Sequence, residues 1–499
     1  MNIGKRSGWM CLAAVLSVAL GARTQAQISN GDAPPDVVLS GDVTGAQNKT
    51  YLEVPFDVPA GKHRISVDFR YTARDQRATL DLGIADPERF RGASGGNKSH
   101  FTISETDATP SYLAGAIPRG KWRLLISVPN MRANVVSHYT AEIRFDARTE
   151  EAAFAAHALA TGKRWYRGDL HMHTAHSDGS CRSQSGIDVP CPLFLTVQEA
   201  AARSLDFIAI TDHNADSHYN EMRELQPFFD HLLLIPGREI TTFHGHFNVF
   251  GVTQFIDWRV SPDRLSLNDV VRDVLAKGGI ASVNHAEAPE GENCMGCRWM
   301  PPANSDMGLF SAVEVINFGE IMFSSATYWD SQLRAGHRLA AVGGSDNHNA
   351  TTPAGRAGAI GWPTTAVEAS ELSVPAILSG IRLGRTFIDI TASRDKTLDF
   401  EAESGGITTK MGGTLHVADG ARIQVTIHVT AAEGSKVHLL LDGEESGANL
   451  AMPLDSSDAN KSVTLTTSSG RHYLRVEVRD NAGKNELISS PLYINFPEN

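Results

Sequence analysis

The stretch Phe207-Ile-Ala-Ile-Thr-Asp-His213-Asn214 decides the fold. Four apolar residues in a row read as a strand buried on both faces, and polar, ligand-type side chains follow at once. The same pattern recurs on either side. Upstream stands Asp169-Leu-His171-Met-His173-Thr-Ala-His176-Ser-Asp178-Gly. Downstream, Leu232-Leu-Leu-Ile leads to Gly237-Arg-Glu239 and then to Gly245-His246-Phe-Asn248. Ile280-Ala-Ser-Val precedes Asn284-His285, Val313-Glu-Val-Ile is a further apolar run, and Leu339-Ala-Ala-Val precedes Gly344-Ser-Asp346-Asn-His348. Helical stretches lie between these runs; one, Leu267 to Lys277, carries an apolar stripe and stops at Gly278-Gly279. Buried strands alternating with helices predict an α/β fold with a largely parallel sheet or barrel over about 165–393. In such folds the loops leaving the C-terminal strand ends converge on one face, where sites are built.

That face carries the chemistry. Of the 19 histidines, eleven fall between His171 and His348, several directly after an apolar run. In His171-Met172-His173, residues i and i+2 of an extended segment point to one side, so both rings reach one ion while Met172 packs behind; the same is expected of Asp346 and His348. Neutral imidazoles with carboxylates suit zinc, manganese or iron, and a carboxylate such as Glu239 can bridge two ions. A lone H-x-H pair means little. Five strand ends delivering imidazoles and carboxylates together predict a multinuclear metal site.

The flanks read differently. From about 36 to 146, short alternating runs such as His63-Arg-Ile-Ser-Val-Asp-Phe and Trp122-Arg-Leu-Leu-Ile-Ser-Val are separated by Gly, Pro and Asn, which predicts a β-sandwich within 27–148. The alanine-rich stretch Glu150 to Ala160 is expected to be a helical link. Alternation returns in Arg422-Ile-Gln-Val-Thr-Ile-His-Val and Tyr473-Leu-Arg-Val-Glu-Val, predicting a second β-sandwich over 396–499 after a catalytic domain at 165–395.

The 499 residues, 41% apolar and 20% charged, exclude a disordered or collagenous chain. Residues 1–26 read as an export signal: Lys5 and Arg6, an apolar run from Trp9 to Leu20 too short to span a bilayer, then Thr24-Gln25-Ala26. The mature protein is expected in the periplasm or medium, without stable membrane insertion. Cleavage takes the formal net charge from -12 to -15, three basic and no acidic residues being lost. Such acidity disfavours nucleic acid as a partner. Outside the signal, Cys181, Cys191, Cys294 and Cys297 permit three full pairings, with Cys181–Cys191 and Cys294–Cys297 the local ones; structural disulfides are favoured over free thiols and over a four-thiolate zinc site.

With these motifs in order, the segment 165–393 resembles the PHP (polymerase and histidinol phosphatase) superfamily of metal hydrolases, and in particular its CehA/McbA-like exported members. Gly361-Trp-Pro-Thr-Thr, followed by Ala376-Ile-Leu-Ser-Gly-Ile-Arg-Leu-Gly-Arg-Thr-Phe, is similar to the end of that subfamily's catalytic domain. The resemblance implies a distorted (β/α)7 barrel with two or three divalent ions at its mouth. By position, His171, His173, Glu239 and Asp346 would hold the first ion. Glu239 would bridge to a second, completed by His285 and His246. Asp178, His213 and His348 would hold a third. Two positions depart from the family pattern: Asn248 stands where a histidine is common, and Asn284-His285-Ala286 replaces Asn-His-Pro.

The chemistry implied is hydrolysis by a metal-bridged hydroxide, with small phosphate mono- or diesters as the leading substrates. Arg238, Arg298 and Arg356 stand beside the motifs, and Arg356 is the expected phosphate-holding residue. His218, five residues past His213, is the candidate general acid. A carbamate or carboxylester hydrolase of the CehA/McbA type is the alternative, and a non-catalytic metal- or glycan-binding exoprotein the third.

Overall fold

The computed structural model describes residues 34–95, 98–147, 153–292, 296–318, 322–445 and 451–497. The expected signal, residues 1–26, lies outside them. The fold is mixed α/β with mostly strands. No described helix is long and apolar enough to cross a membrane.

The N-terminal zone forms two four-stranded antiparallel sheets. In one, Val136–Asp146 lies between Val37–Thr44 and Arg64–Tyr71, with His100–Ser104 at the edge; in the other, Gly120–Asn130 lies between Tyr51–Val58 and Thr79–Ala85, with Phe90–Ser94 beyond. Alternation puts one face of each strand into a shared core that includes Ile65, Val67, Leu82, Ile84, Trp122, Leu124 and Ile143.

The middle of the chain contains β1 (Thr161–Asp169), β2 (Phe207–Ile210), β3 (Leu233–Thr242), β4 (Gly245–Phe250), β5 (Ile280–Val283), β6 (Ala312–Phe318), β7 (Ala340–Gly344), β8 (Thr364–Glu371) and β9 (Thr386–Asp389). Strands β1, β2 and β3 pair in parallel, as do β5, β6 and β7. Parallel order is interrupted, however. The strand β4 is antiparallel to both β3 and β5, and β8 is antiparallel to β1 and β9. A tight return such as Phe243-His244 between β3 and β4 can only join antiparallel strands, whereas parallel ones need a long crossover.

Among the described residues, five helices are interspersed: α1 (Leu193–Ala202), α2 (Tyr219–Leu225), α3 (Leu267–Ala276), α4 (Ala326–Ala335) and α5 (Val374–Arg382). In α3 the expected helix is found. Ser266 and Asp269 form a capping box at its start, and Gly278 (φ 83°) ends it in the left-handed conformation that costs glycine little.

Three expectations are corrected. Residues 153–160 form no helix; Leu159 N donates to Leu372 O and Leu372 N to Ala160 O, so backbone pairing with the end of β8 overrides alanine's helix preference. The sheet also crosses the boundary expected at 395/396, because β9 pairs with Asn485–Ser489 through Phe387, Ile388 and Asp389. Finally, Cys181 and Cys191 are free and buried. In the hairpin Ser180–Arg182/Asp188–Pro190, Cys181 faces Val189, so the two thiols are diagonal neighbours and not a facing pair. Cys297 is disulfide-bonded; its expected partner, Cys294, lies outside the described residues.

Candidate metal centre

Each site segment leaves the end of a buried strand or lies on one. His171 and His173 follow β1, His213 follows β2, Glu239 and His246 are on β3 and β4, His285 follows β5, and Asp346 and His348 follow β7. Apolar strands fix the backbone, so the polar residues just past them inherit defined positions. Met172 is fully buried in the core behind the two histidines, as its place between them predicts.

Glu239 is the centre of the arrangement. Its Oε2 lies 2.9 Å from His213 Nδ1, 3.4 Å from His171 Nε2 and 3.5 Å from His173 Nε2. Its Oε1 lies 3.3 Å from both His246 Nδ1 and His285 Nε2. Asp346 Oδ1 is 3.3 Å from His171 Nε2 and 3.1 Å from His173 Nε2. Further out, Asp178 Oδ1 is 3.3 Å from His348 Nε2, and its Oδ2 is 3.7 Å from His213 Nε2. The side chains form four overlapping groups whose donor atoms lie within 4.8 Å of one another: His173, Asp178, His213 and His348; His171, Glu239 and His285; His171, His173 and Asp346; and His213, Glu239 and His246. All nine residues expected as metal ligands are therefore brought together.

Three of the imidazoles are held in fixed tautomers. His171 Nδ1 donates to Glu314 Oε1 (2.9 Å), His285 Nδ1 to Cys297 O (3.2 Å) and His348 Nδ1 to Asp346 O (2.9 Å). Each bond leaves the Nε2 lone pair of that ring facing the carboxylates, the orientation that metal-binding histidines take. His171 Nε2, Glu239 Oε2 and both ring nitrogens of His246 are buried without a hydrogen-bond partner. Buried polar atoms left this way are costly unless something else meets them. Divalent cations fit: the set offers imidazole nitrogen and carboxylate oxygen, with no thiolate.

Burial lowers the pKa of His171, His285 and His348, but the neighbouring carboxylates outweigh it and raise all three. Burial alone would raise the Glu239 pKa, yet His213, His171 and His246 hold it well below the usual carboxylate range. Asp346 is likewise pushed up by burial but held well down by His171, His173 and His348. His173, buried beside His348 and His213, is lowered to about 4 and is neutral at physiological pH.

Two site residues carry local strain. His285 (φ 26°) and Asp346 (φ 49°) adopt the left-handed region that non-glycine residues avoid. Asp346 and His348 therefore do not share a face by strand alternation, as the sequence suggested; a turn brings them in.

Glu314, Asn284 and Asn317 were not foreseen. Glu314 Oε2 accepts from His285 N (3.0 Å) and Asn317 Nδ2 (3.1 Å), so one carboxylate positions the segments after β1 and β5. Asn284 Nδ2 donates to Glu239 Oε1 (2.8 Å). A usable signal existed: Glu314 stands in the otherwise apolar run Ala312-Val-Glu-Val-Ile, and a charge inside a buried strand needs a partner. Gly344 makes room for this bond. A Cβ there would lie 2.3 Å from Glu314 Oε1 and 2.4 Å from His171 Cβ.

Other expectations resolve differently. Asn248 donates through Nδ2 to Leu170 O, while His246 is the one that meets Glu239. His218 is corrected: it is fully buried, donates Nε2–H to Gly237 O (3.0 Å) and turns Nδ1 towards Asp212 at 3.7 Å, so it has no exposed atom with which to protonate a leaving group. Burial lowers it to about 4. Arg356 is exposed, and its guanidinium makes no contact with the cluster among the described residues. Arg238 is buried but bonded to Ala215 O and Gln254 O, away from the site. Arg298 Nε donates to Ala288 O.

The fold and site define a chain with a buried histidine–carboxylate cluster suited to several divalent ions. No protein-family model matches the chain, and no curated protein matches it. Among solved structures it is similar to a two-domain protein from Bacteroides vulgatus ATCC 8482, described as containing a predicted PHP-like metal-dependent phosphoesterase. Identity is 18%, over 67% of this chain and 95% of that one, with a TM-score of 0.38. At that score the likeness carries no weight, and the reading of the site rests on its own geometry.

Proposed function

We propose that the chain is an exported, metal-dependent hydrolase of the PHP type that cleaves small phosphate mono- or diesters. The observation that carries this reading is the set of three imidazoles whose Nδ1–H groups are tied to fixed acceptors while their Nε2 atoms face Glu239, Asp346 or Asp178. His171, His173, Glu239 and Asp346 would hold one divalent ion, Glu239, His246 and His285 would hold a second, and Asp178, His213 and His348 a third. Zinc, manganese or iron bound there would supply Lewis-acid charge and raise the acidity of water.

The chain's own residues do the positioning. Glu314 orients His171 and the His285 backbone, Asn284 steadies Glu239, and Asp212 holds the 174–177 turn by accepting from Thr174 N (2.7 Å) and Ser177 Oγ (2.6 Å). His348 and Asp178 are the most exposed members of the set and border the solvent side, where a substrate enters.

One observation favours a second reading. Among the described residues, no arginine or lysine contacts the cluster, so a phosphate would be held by the ions alone; this suits a neutral carbamate or carboxylester equally well. The test is elemental analysis of the purified protein with turnover of bis(p-nitrophenyl) phosphate, p-nitrophenyl phosphate and a naphthyl carbamate, with and without chelator. Two to three metal equivalents and chelator-sensitive phosphoester cleavage are expected. Carbamate turnover about a hundred times faster than any phosphoester would replace the first reading with the second. Export is tested by the N-terminus of periplasmic or secreted material, expected near Gln27.

A further inference from the structure

A cleft of about 540 Å³ lies between the residues leading into β2, the loop after β9 and the turn at 480–486. None of the nine proposed metal ligands lines it. Its apolar lining includes Leu205, Ile360, Trp362 and Ile390. One face of Trp362 stacks on Phe318, with ring centroids 4.6 Å apart, so the indole is fixed in place.

The charged lining is unbalanced. Arg167, Arg203, Arg394 and Lys484 face Asp480 and Glu486. Arg167 is paired with Asp389, and Arg203 with Glu199 and the carbonyls of Ile360 and Thr352. Glu486 is taken by Lys396 and Ser435, and Asp480 accepts from the Ala482 and Lys484 amides of its own turn. Arg394 and Lys484 are then left without a carboxylate partner among the described residues; the one bond recorded for the Arg394 guanidinium goes to Arg203 O. Two uncompensated cations over an apolar, aromatic floor stand out on a chain of formal net charge -12.

We propose that this cleft binds a small amphiphilic anion: an apolar or aromatic body seated against Trp362, Ile360 and Ile390, carrying one carboxylate or phosphate group held by Arg394 and Lys484. The volume is in the range of small-molecule sites, which bury an apolar body and use a few polar groups for orientation. A guanidinium and an ammonium give charge-assisted bonds to either anion. The occupant would also touch the support of the metal centre. Gly361 N, on the cleft wall, donates to Asp169 Oδ2 (2.7 Å), and Asp169 Oδ1 accepts from His171 N (3.2 Å) and Ser345 N (3.1 Å).

The test is calorimetric titration of the purified full chain with 2-naphthoate, 2-naphthylphosphonate and neutral 2-naphthamide. At least one anion is expected to bind at one site per chain and about tenfold or more tighter than the amide; whichever binds tighter identifies the head group. The exposed pair is then replaced together, Arg394→Gln with Lys484→Gln, and affinity for the anion should fall by about tenfold or more while the melting temperature is kept. Glu239→Gln separates this site from the proposed metal centre and should leave the binding unchanged. Anions that bind no better than the amide, a double variant that binds like wild type, or loss of binding in Glu239→Gln would each overturn the proposal.

Discussion

The N-terminal sheets and the metal centre use the same residue types with opposite results. In the sheets, His63, His100 and His138 each meet one carboxylate, Glu105, Asp68 and Asp42, at 3.0, 2.8 and 2.8 Å. All three pairs are open to water, and none gathers more than one imidazole, although Asp68 also accepts from Arg144 (2.8 Å). In the centre, Glu239 alone meets five imidazoles, and it is buried. A histidine–carboxylate contact therefore carries little information by itself. Convergence does, because several buried donors aimed at one point are tolerated only where something offsets their desolvation.

The sharpest way to break this contrast is at its hub. Glu239→Gln removes a charge that five rings share, and turnover should fall by on the order of 1000-fold, with metal content dropping below that of wild type. Full activity with a metal stoichiometry under one would remove the multinuclear reading. Next in size is Glu314→Gln, which keeps shape but weakens the bond that sets the His171 tautomer. Such supporting partners are worth about 10- to 100-fold in metal affinity. Titration with a competing chelator measures this; an unchanged metal affinity would reduce Glu314 to a packing residue.

Why was the hub legible in sequence and its support not? His213, His285 and His348 stand just past apolar runs, where a polar residue is conspicuous and the strand end fixes its place, and His171 shows itself through its spacing from His173. Glu314 stands inside such a run, so the pattern read as ordinary core. The strand directions of β4 and β8 were hidden for a different reason, since side-chain periodicity is the same in parallel and antiparallel strands. Misplaced roles followed from nearness in sequence: His218 is five residues from His213, but α2 begins directly after it and carries it behind the site. Adjacency in the chain measures contour length, whereas a site is defined by where strands end.

Packing offers a smaller test of the same centre. Gly344→Ala places a methyl against Glu314 and His171, at contacts under 3 Å. Overpacking of this kind costs about 1–3 kcal/mol, and here it should also lower metal content, which a thermal melt with and without added metal separates. For comparison, the N-terminal zone has its own buried carboxylate, Asp86, paired with Arg91 at 3.1 Å. Burial raises its pKa, but the amides of Arg89 and Glu88 and the Arg91 guanidinium outweigh this and lower it. A carboxylate with a depressed folded pKa stabilises the protein above its unfolded value, and that contribution is lost as pH falls through the folded value. Asp86→Asn should cost about 1–2 kcal/mol at pH 7, and the gap to wild type should close below about pH 4. A gap that persists unchanged well below that pH would mean that the pair contributes through shape and not charge.

The smallest effect belongs to the exposed pairs, and it tests whether convergence is what matters. His63 lies 3.0 Å from Glu105, closer than any contact Glu239 makes with His171, His173, His246 or His285. If distance alone conferred importance, His63→Ala would be among the most damaging changes in the chain. Solvent screens the pair, however, with side chains 36% and 42% exposed, and holding two side chains in register costs entropy that offsets the attraction. The expected change in stability is within about 0.5 kcal/mol, with metal content and turnover as in wild type. Chemical denaturation and elemental analysis of His63→Ala beside His171→Ala make the comparison direct. A loss of bound metal in His63→Ala would show that the N-terminal sheets take part in the centre, and the contrast between the two regions would fail.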